Sequence, residues 1–582
     1  MSAFRDFLAH QITERGGRWG RAVFLGITLY VLWEVLRFVL LMLAPENQPF
    51  LLRTVVQTCE LLLILALLHR AFRPGKTSAD TFERRYLLAV WALFGVWLIV
   101  MVPMGFAIRD PYLYGQPNLQ SFHGTFSHVG QFRWFLVVVW LTGGLGAALL
   151  YSFKKRWADV DEIMLPLVCH LVFTGLVMLV RLGPDRMKTA ALGWNQTLFF
   201  VIGSLVFAVL ICPPFRERLM SFAERYPYII LMVTLALIAG TFLFGTALSG
   251  GRKLWYRLGP VTLQPIEISK ILFVFVVATF LEKKAHLFQK SNRISSLVSL
   301  GALCLSLFVI LLLQKDLGPI MVLVMVCMWM FVTVSGRLDI LMGAGLGIGG
   351  IVTLAFLTRW PSMVYHRIMD FVDPLSYSSQ MTYALWTQAS GDLWGTAPGL
   401  SKAFKVPVIE SDYIFTAILA EKGWIGASVL LLAFLALTLR GFQLARFLSV
   451  ASRRDATYLM GLVMVLFVQQ AVIVAGNLNL FPLSGLTLPF VSAGGSSLVV
   501  NLGVLGLVMG LVARHTRKAT VEERHGVATS QPAQATSSPI PLFPSEIPTE
   551  SPALKSMSFT SATADPHLKR ETWIPTSPTR MP

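Results

Sequence analysis

The sequence predicts an all-α polytopic membrane protein with about 14 transmembrane helices. Three observations carry that expectation. The 582-residue chain is 55% hydrophobic and only 14% charged, with a mean hydropathy of +0.65, which is too apolar for a soluble globular protein. Apolar runs of spanning length recur along it, and in hydrocarbon such a run is stable as a helix that pairs its own backbone groups. Lysine and arginine gather in alternate loops between those runs.

In chain order the runs lie at about 20–44, 51–70, 86–108, 133–152, 163–181, 196–212, 227–248, 266–282, 295–313, 317–335, 339–357, 412–440, 458–478 and 488–514. The first is already long enough to span and lacks a small-residue cleavage site, so it reads as a span rather than a signal peptide. Glu34, Arg37 and Glu60 sit within the first two runs, where they can neutralise one another as packing contacts or serve a function. Between the third and fourth runs, His123 and His128 match no familiar metal spacing and read as loop-surface histidines. The five cysteines occupy apolar runs without C-x-x-C spacing, so they suggest neither a disulfide framework nor a zinc site.

Basic clusters occur around Arg15, Arg18 and Arg21, then in "HRAFRPGKTSADTFERR", "KKRW", "RERLMSFAERYP", "LEKKAHLFQKSNR", "GRLD", "RGFQLARFLSVASRR" and "RHTRK". These are alternate loops, so both termini are expected in the cytoplasm and the long loop of about 358–411 on the outer face. The net charge of +18 therefore lies along a membrane surface rather than on one soluble face, which favours membrane lipid over nucleic acid as a partner. From about residue 515 the composition turns to Pro, Ser and Thr, and 515–582 is expected to be a disordered cytoplasmic tail.

The outer loops carry exceptions to the charge rule. Arg252, Lys253 and Arg257 lie in "SGGRKLWYRLGP", Arg359 and Arg367 flank "WPSMVYH", and Lys402 and Lys405 precede "VPVIESDYIF". Cations held there suit a phosphate or pyrophosphate, or equally the headgroups of anionic lipid. In "QPIEISK", Glu267 and Lys270 are three apart on one helix face and can pair. Asp316 marks a turn between two spans. Glu410 and Asp412 stand where the long loop enters an apolar helix, and ionised carboxylates at such a boundary are costly unless used. Read from the residues alone, Asp412 serves equally as a helix cap or as a catalytic acid or base.

Six strings then occur in order: "LGPVTLQPIEISK" (258–270), "LLQKDLG" (312–318), "HRIMDFVDP" (366–374), "SGDLWG" (390–395), "IESDYIFTAILAEKGWIG" (409–426) and "FPLSGLTLPFVSAGGSS" (481–497). Together they resemble the SEDS family of shape, elongation, division and sporulation proteins, typified by FtsW and RodA. The resemblance implies a core of about ten spans over 161–514, preceded by about four added spans in 1–160. It implies a peptidoglycan glycosyltransferase that polymerises lipid II outside the cytoplasmic membrane, beside a class B penicillin-binding protein. Undecaprenyl-pyrophosphate-linked glycan is then the lipid partner. A lipid II flippase or a non-catalytic division scaffold are the alternatives.

The resemblance assigns the catalytic acid to Asp412. It marks Gln264, Glu267, Lys270, Asp316, Arg367, Gln380, Ser496 and Ser497 as matching positions for substrate binding, to which the outer-loop charge pattern adds Arg252 and Lys253 as reserve cations. It admits a divalent cation, magnesium or manganese, and no organic cofactor. In this chain Val408 and Glu410 replace a glutamate and a histidine of the family pattern, Lys315 a proline, Tyr383 a glutamine, Ile473 an asparagine and Ala493 a tyrosine. Chemically, a carboxylate can take the proton of an acceptor hydroxyl while cations hold the departing diphosphate. Arg367 and Lys270 are the expected cations.

Overall fold

The computed structural model describes residues 48–72, 79–103, 129–185, 191–247, 253–259, 261–289, 293–396 and 401–528. The chain opens with α1 (Gln48–Phe72), α2 (Ala79–Gly95, prolonged by a π-helical turn Val96–Met101), α3 (Val129–Trp157), α4 (Met164–Asp185) and α5 (Ala191–Ile211). A short α6 (Pro213–Arg225) leads to α7 (Pro227–Phe244), the strands β1 (Thr246–Ala247), β2 (Lys253–Leu258) and β3 (Val261–Leu263), then α8 (Pro265–Gln289) and α9 (Arg293–Leu313). There follow α10 (Leu317–Ser335), α11 (Leu338–Thr358), α12 (Ser362–Val372), α13 (Pro374–Tyr377), α14 (Ser379–Ala389), α15 (Ile414–Ala451), α16 (Arg453–Asn477) and α17 (Gly495–Ala528).

Among the described residues, 11 helices are long and apolar enough to cross a membrane. The runs expected at 266–282 and 295–313 fall on α8 and α9, and the run at 20–44 lies outside the described residues. The apolar window of α4 is 100% buried and that of α11 0%. So α4 runs through the middle of the bundle, packed against α2, α5 and α15, while α11 stands at its edge.

Lipid tails are as apolar as leucine, so packing and polar contacts hold the helices together. In α2 and α3 the Trp91 and Trp140 rings stack at 4.3 Å, and each indole N–H donates to the other's backbone carbonyl. Buried Lys154 pairs with Glu83. Arg440 of α15 reaches back to Asp161 at 3.1 Å, and Arg70 to Glu162 at 2.7 Å. Glu60 has a partner far along the chain. Its carboxylate accepts from Lys422 of α15, while Glu34 and Arg37 lie outside the described residues.

Two regions depart from a picture of spans joined by loops. The segment after α7 forms a three-stranded antiparallel sheet in the order β1-β2-β3. Gly259, at φ 64°, makes the tight turn between β2 and β3, and Tyr256 Oη donates to the Leu237 carbonyl of α7 at 2.8 Å, which pins the sheet to the bundle. The long loop of 358–411 contains α12, α13 and α14. Their starts follow local chemistry: the Asp373 carboxylate accepts from Ser376 N with Pro374 at the first helical position, and Ser378 caps α14 through Met381 N.

Candidate active site

Asp412 sits in the turn of 407–413 that leads into α15. The amides of Ser411 and Asp412 both donate to the Val408 carbonyl, at 3.2 and 3.1 Å. The irregular segment after α16 grips this turn from the other side. Ser492 Oγ donates to the Ser411 carbonyl at 2.6 Å, Ala493 N to the Glu410 carbonyl at 2.8 Å, and Asn477 Nδ2 to the Asp412 carbonyl at 2.8 Å. Asn477 Oδ1 also accepts from Thr416 N and Oγ1. The backbone is thus fixed before, at and after the carboxylate, as a group that must hold one position requires.

The carboxylate itself is half-buried and accepts from Ser411 Oγ at 2.8 Å. The N-cap of α15 is Tyr413, with no side-chain cap, so the helix-cap reading of Asp412 gives way. Glu410 is buried, in contrast to its neighbour.

Arg367, on α12, faces Asp412 across Gly485. A β-carbon at Gly485 would stand 3.6 Å from Arg367 Nη2 and 3.6 Å from Asp412 Oδ2. Gly485 adopts φ 70°, a conformation natural to glycine, and a side chain there would lie in van der Waals contact with both charged groups. The guanidinium is tethered on its other edge, where Nη1 donates to the Leu483 carbonyl at 2.9 Å.

Arg367 also lines a cavity of about 570 Å³ together with Lys253, Gln314, Lys315, His366 and Asp370. Gln314 is held there by its amide, which donates to the Ile238 carbonyl and to Thr241 Oγ1 of α7. Burial raises the Asp370 carboxyl above its usual range, against the pull of Arg367 and His366. The chamber therefore gathers three permanent cations beside one carboxylate.

The other expected residues occupy different places. Buried Lys270 donates to Glu267 at 3.0 Å and to Gln469 at 2.6 Å. Ser497 Oγ donates to the second Glu267 oxygen, and Thr487 and Asn501 donate to Ser497. These groups form an internal polar network in which the Lys270 ammonium is turned to protein partners. Ser496 Oγ accepts from Gln264 N at 3.4 Å. Asp316 is buried at the start of α10, and Gln380 is exposed on α14. Arg252 lies outside the described residues, as do His123 and His128.

Lys315, His366 and Asp370 were absent from the sequence-based site. A signal existed for each. Lys315 is a cation in a loop expected on the outer face, and His366, Arg367 and Asp370 have the spacing that brings side chains to one side of a helix.

Among the described residues, no group of three His, Cys, Asp or Glu side chains could hold a metal ion. The donor set does not fit a protein-built divalent-cation centre.

The family model described as "Cell cycle protein", for FtsW, RodA and SpoVE, matches residues 161–518, more than half of the chain. The chain belongs to the FtsW/RodA/SpoVE family. Among its relatives in that family, "Peptidoglycan glycosyltransferase RodA" of Mycobacterium tuberculosis is 29% identical over 400 residues, covering 64% of this chain and 83% of that protein. "Stage V sporulation protein E" of Bacillus subtilis is 29% identical over 290 residues, covering 49% of this chain and 77% of that protein. A solved chain described as "Structural coordination of polymerization and crosslinking by a peptidoglycan synthase complex" is 26% identical with a TM-score of 0.52, covering 62% of this chain and 98% of that one.

Proposed function

We propose that this member of the FtsW/RodA/SpoVE family is a peptidoglycan glycosyltransferase that polymerises lipid II, with Asp412 as general base and Arg367 as the cation facing it. The observation that carries the reading is the half-buried Asp412 carboxylate converging with Arg367 on Gly485, beside a chamber lined with cations. The names of the relatives support the same chemistry.

In the reaction the acceptor hydroxyl oxygen forms a bond to the anomeric carbon of the donor sugar. The bond from that carbon to the diphosphate breaks, and the electron pair leaves with the diphosphate. Asp412 takes the proton of the hydroxyl. Arg367, with Lys315 and Lys253 on the same chamber wall, stabilises the negative charge that develops on the diphosphate oxygens. The carboxylate and guanidinium are held by backbone contacts before substrate arrives, so little reorganisation is needed at the reacting atoms.

The distribution of basic loops supports an outer-face site in the cytoplasmic membrane with both termini inside. Lipid-linked sugars lie at the depth of such a site. The likeness to a chain from a peptidoglycan synthase complex supports a cross-linking partner, a class B penicillin-binding protein by resemblance.

The test is incubation of the purified full-length chain with labelled lipid II, with and without a transpeptidase partner. The reading expects glycan strands in at least one arm. Movement of intact lipid II across liposomes with no strand formed in either arm would replace polymerisation by transport.

A further inference from the structure

Helix α15 is broken at Gly423, where the backbone turns to φ 67° and ψ −173°. The break separates a short helical segment, 414–422, from the rest of α15, and Asp412 stands at the head of that segment. The loop after α14 is stitched into the break. Trp424 N donates to the Asp392 carbonyl at 3.1 Å, Ile425 N to Leu393 at 3.2 Å, and Thr396 N to Ala420 at 2.9 Å. Gly395 and Gly423 meet so closely that a β-carbon on Gly423 would lie 2.3 Å from Gly395 N.

Two carbonyls at this break are taken by side chains from α1. Gln57 Nε2 donates to the Lys422 carbonyl at 2.8 Å, and Arg53 Nη1 to the Gly395 carbonyl at 2.8 Å. One turn further along α1, both Glu60 oxygens accept from Lys422 Nζ, at 3.0 and 3.2 Å. The π-helical turn after α2 adds the Trp97 ring 4.2 Å from the same ammonium. Arg53, Gln57, Glu60, Trp97 and Lys422 are all buried.

Residues 53, 57 and 60 share one face of α1. A helix that merely filled the flank of the bundle would present apolar side chains there, because buried charge within a membrane is costly and persists where something uses it. This face instead matches the polar groups exposed by a broken helix. It also comes from before residue 161, where the family match begins.

We infer that α1 is a positioning element for the catalytic helix: through Arg53, Gln57 and Glu60 it fixes the broken turn at Lys422 and Gly423, and so keeps segment 414–422 and Asp412 in place against Arg367. The inference rests on the reading of Asp412 as the base. Glu60 is a positioning residue, acting through Lys422 and the backbone of α15.

The experiment uses the full-length chain with Glu60→Gln, Gln57→Leu, Lys422→Glu and the exchanged pair E60K/K422E. Amide hydrogen exchange over 413–422 and lipid II polymerisation are both followed. Exchange is expected to rise about tenfold in Glu60→Gln and Gln57→Leu while α16 is unchanged. The kcat for lipid II is expected to fall about tenfold in Glu60→Gln with KM within about twofold, and to recover in the exchanged pair. Unaltered exchange over 413–422 in both Glu60→Gln and Gln57→Leu overturns the inference whatever the activity. So does wild-type kcat per folded molecule in Glu60→Gln, or an exchanged pair that melts like wild type yet stays as slow as Lys422→Glu. A wild-type chain that forms no glycan refutes the proposed function instead, and the exchange measurement then decides the inference alone.

Discussion

Asp412 Oδ2 and Arg367 Nη2 converge at Gly485, each 3.6 Å from the point that a β-carbon on that glycine would occupy. The segment between α16 and α17 touches both neighbourhoods, through the Leu483 carbonyl held by Arg367 and the Ser492 hydroxyl on the Ser411 carbonyl. A base and a cation that converge on one point can meet an acceptor hydroxyl and a departing diphosphate oxygen together. Gly485→Ala is therefore expected to cost about 1 kcal/mol of folding stability from its positive φ. Its effect on lipid II polymerisation is larger, a loss of about tenfold or more, because the added methyl group touches both base and cation. Thermal melting and initial rates on the same preparation separate the two effects.

Arg367 uses one edge of its guanidinium to hold the Leu483 carbonyl and turns Nη2 toward Gly485. Lysine retains the charge and loses the fork. Arg367→Lys is expected to lower kcat about 10- to 100-fold while leaving a folded chain. A lysine variant with wild-type kcat would show that charge alone suffices.

Asp370 gives a pH dependence with a definite sign. Burial raises its carboxyl in the folded chain, so the folded state holds that proton more tightly than the unfolded state. The resulting stability is fully present below the unfolded carboxylate range and is lost as pH rises through the folded value. Asp370→Asn removes the ionisation. The melting temperature of that variant relative to wild type is expected to be lowest near about pH 4 and to climb toward neutrality. A difference that is flat with pH would contradict the assignment.

The Lys270 and Glu267 pair is internal, and its variants should report on stability before catalysis. Lys270→Met leaves Glu267 buried beside Ser497 without its ammonium, at a cost of about 3–5 kcal/mol. The double variant E267M/K270M should recover most of that loss, since a buried pair replaced by apolar side chains is often tolerated. Melting of both variants in the same detergent checks the expectation.

The spans were legible because hydropathy is a local property, and the Glu267–Lys270 contact because three residues on a helix are always neighbours. Asp412 was conspicuous as a charge at the start of a span. The relationships that make a site were less legible. Gly485 closes on Arg367 through a turn whose positive φ no composition announces, and Lys315 reaches the chamber from the turn between α9 and α10, far in sequence from α12. Nothing local in the sequence pointed Glu60 to Lys422, which is 362 positions away. The β-sheet after α7 was masked by its shortness, since strands of two, six and three residues carry little periodic signal.

The most direct measurement is the yield of glycan from labelled lipid II by Asp412→Asn beside wild type, at matched amounts of folded full-length chain. The substitution keeps the shape and the hydrogen bond from Ser411 but removes the proton acceptor. The account predicts no strands from the variant under conditions in which wild type forms them. Strands of normal length at a normal rate from Asp412→Asn would contradict it.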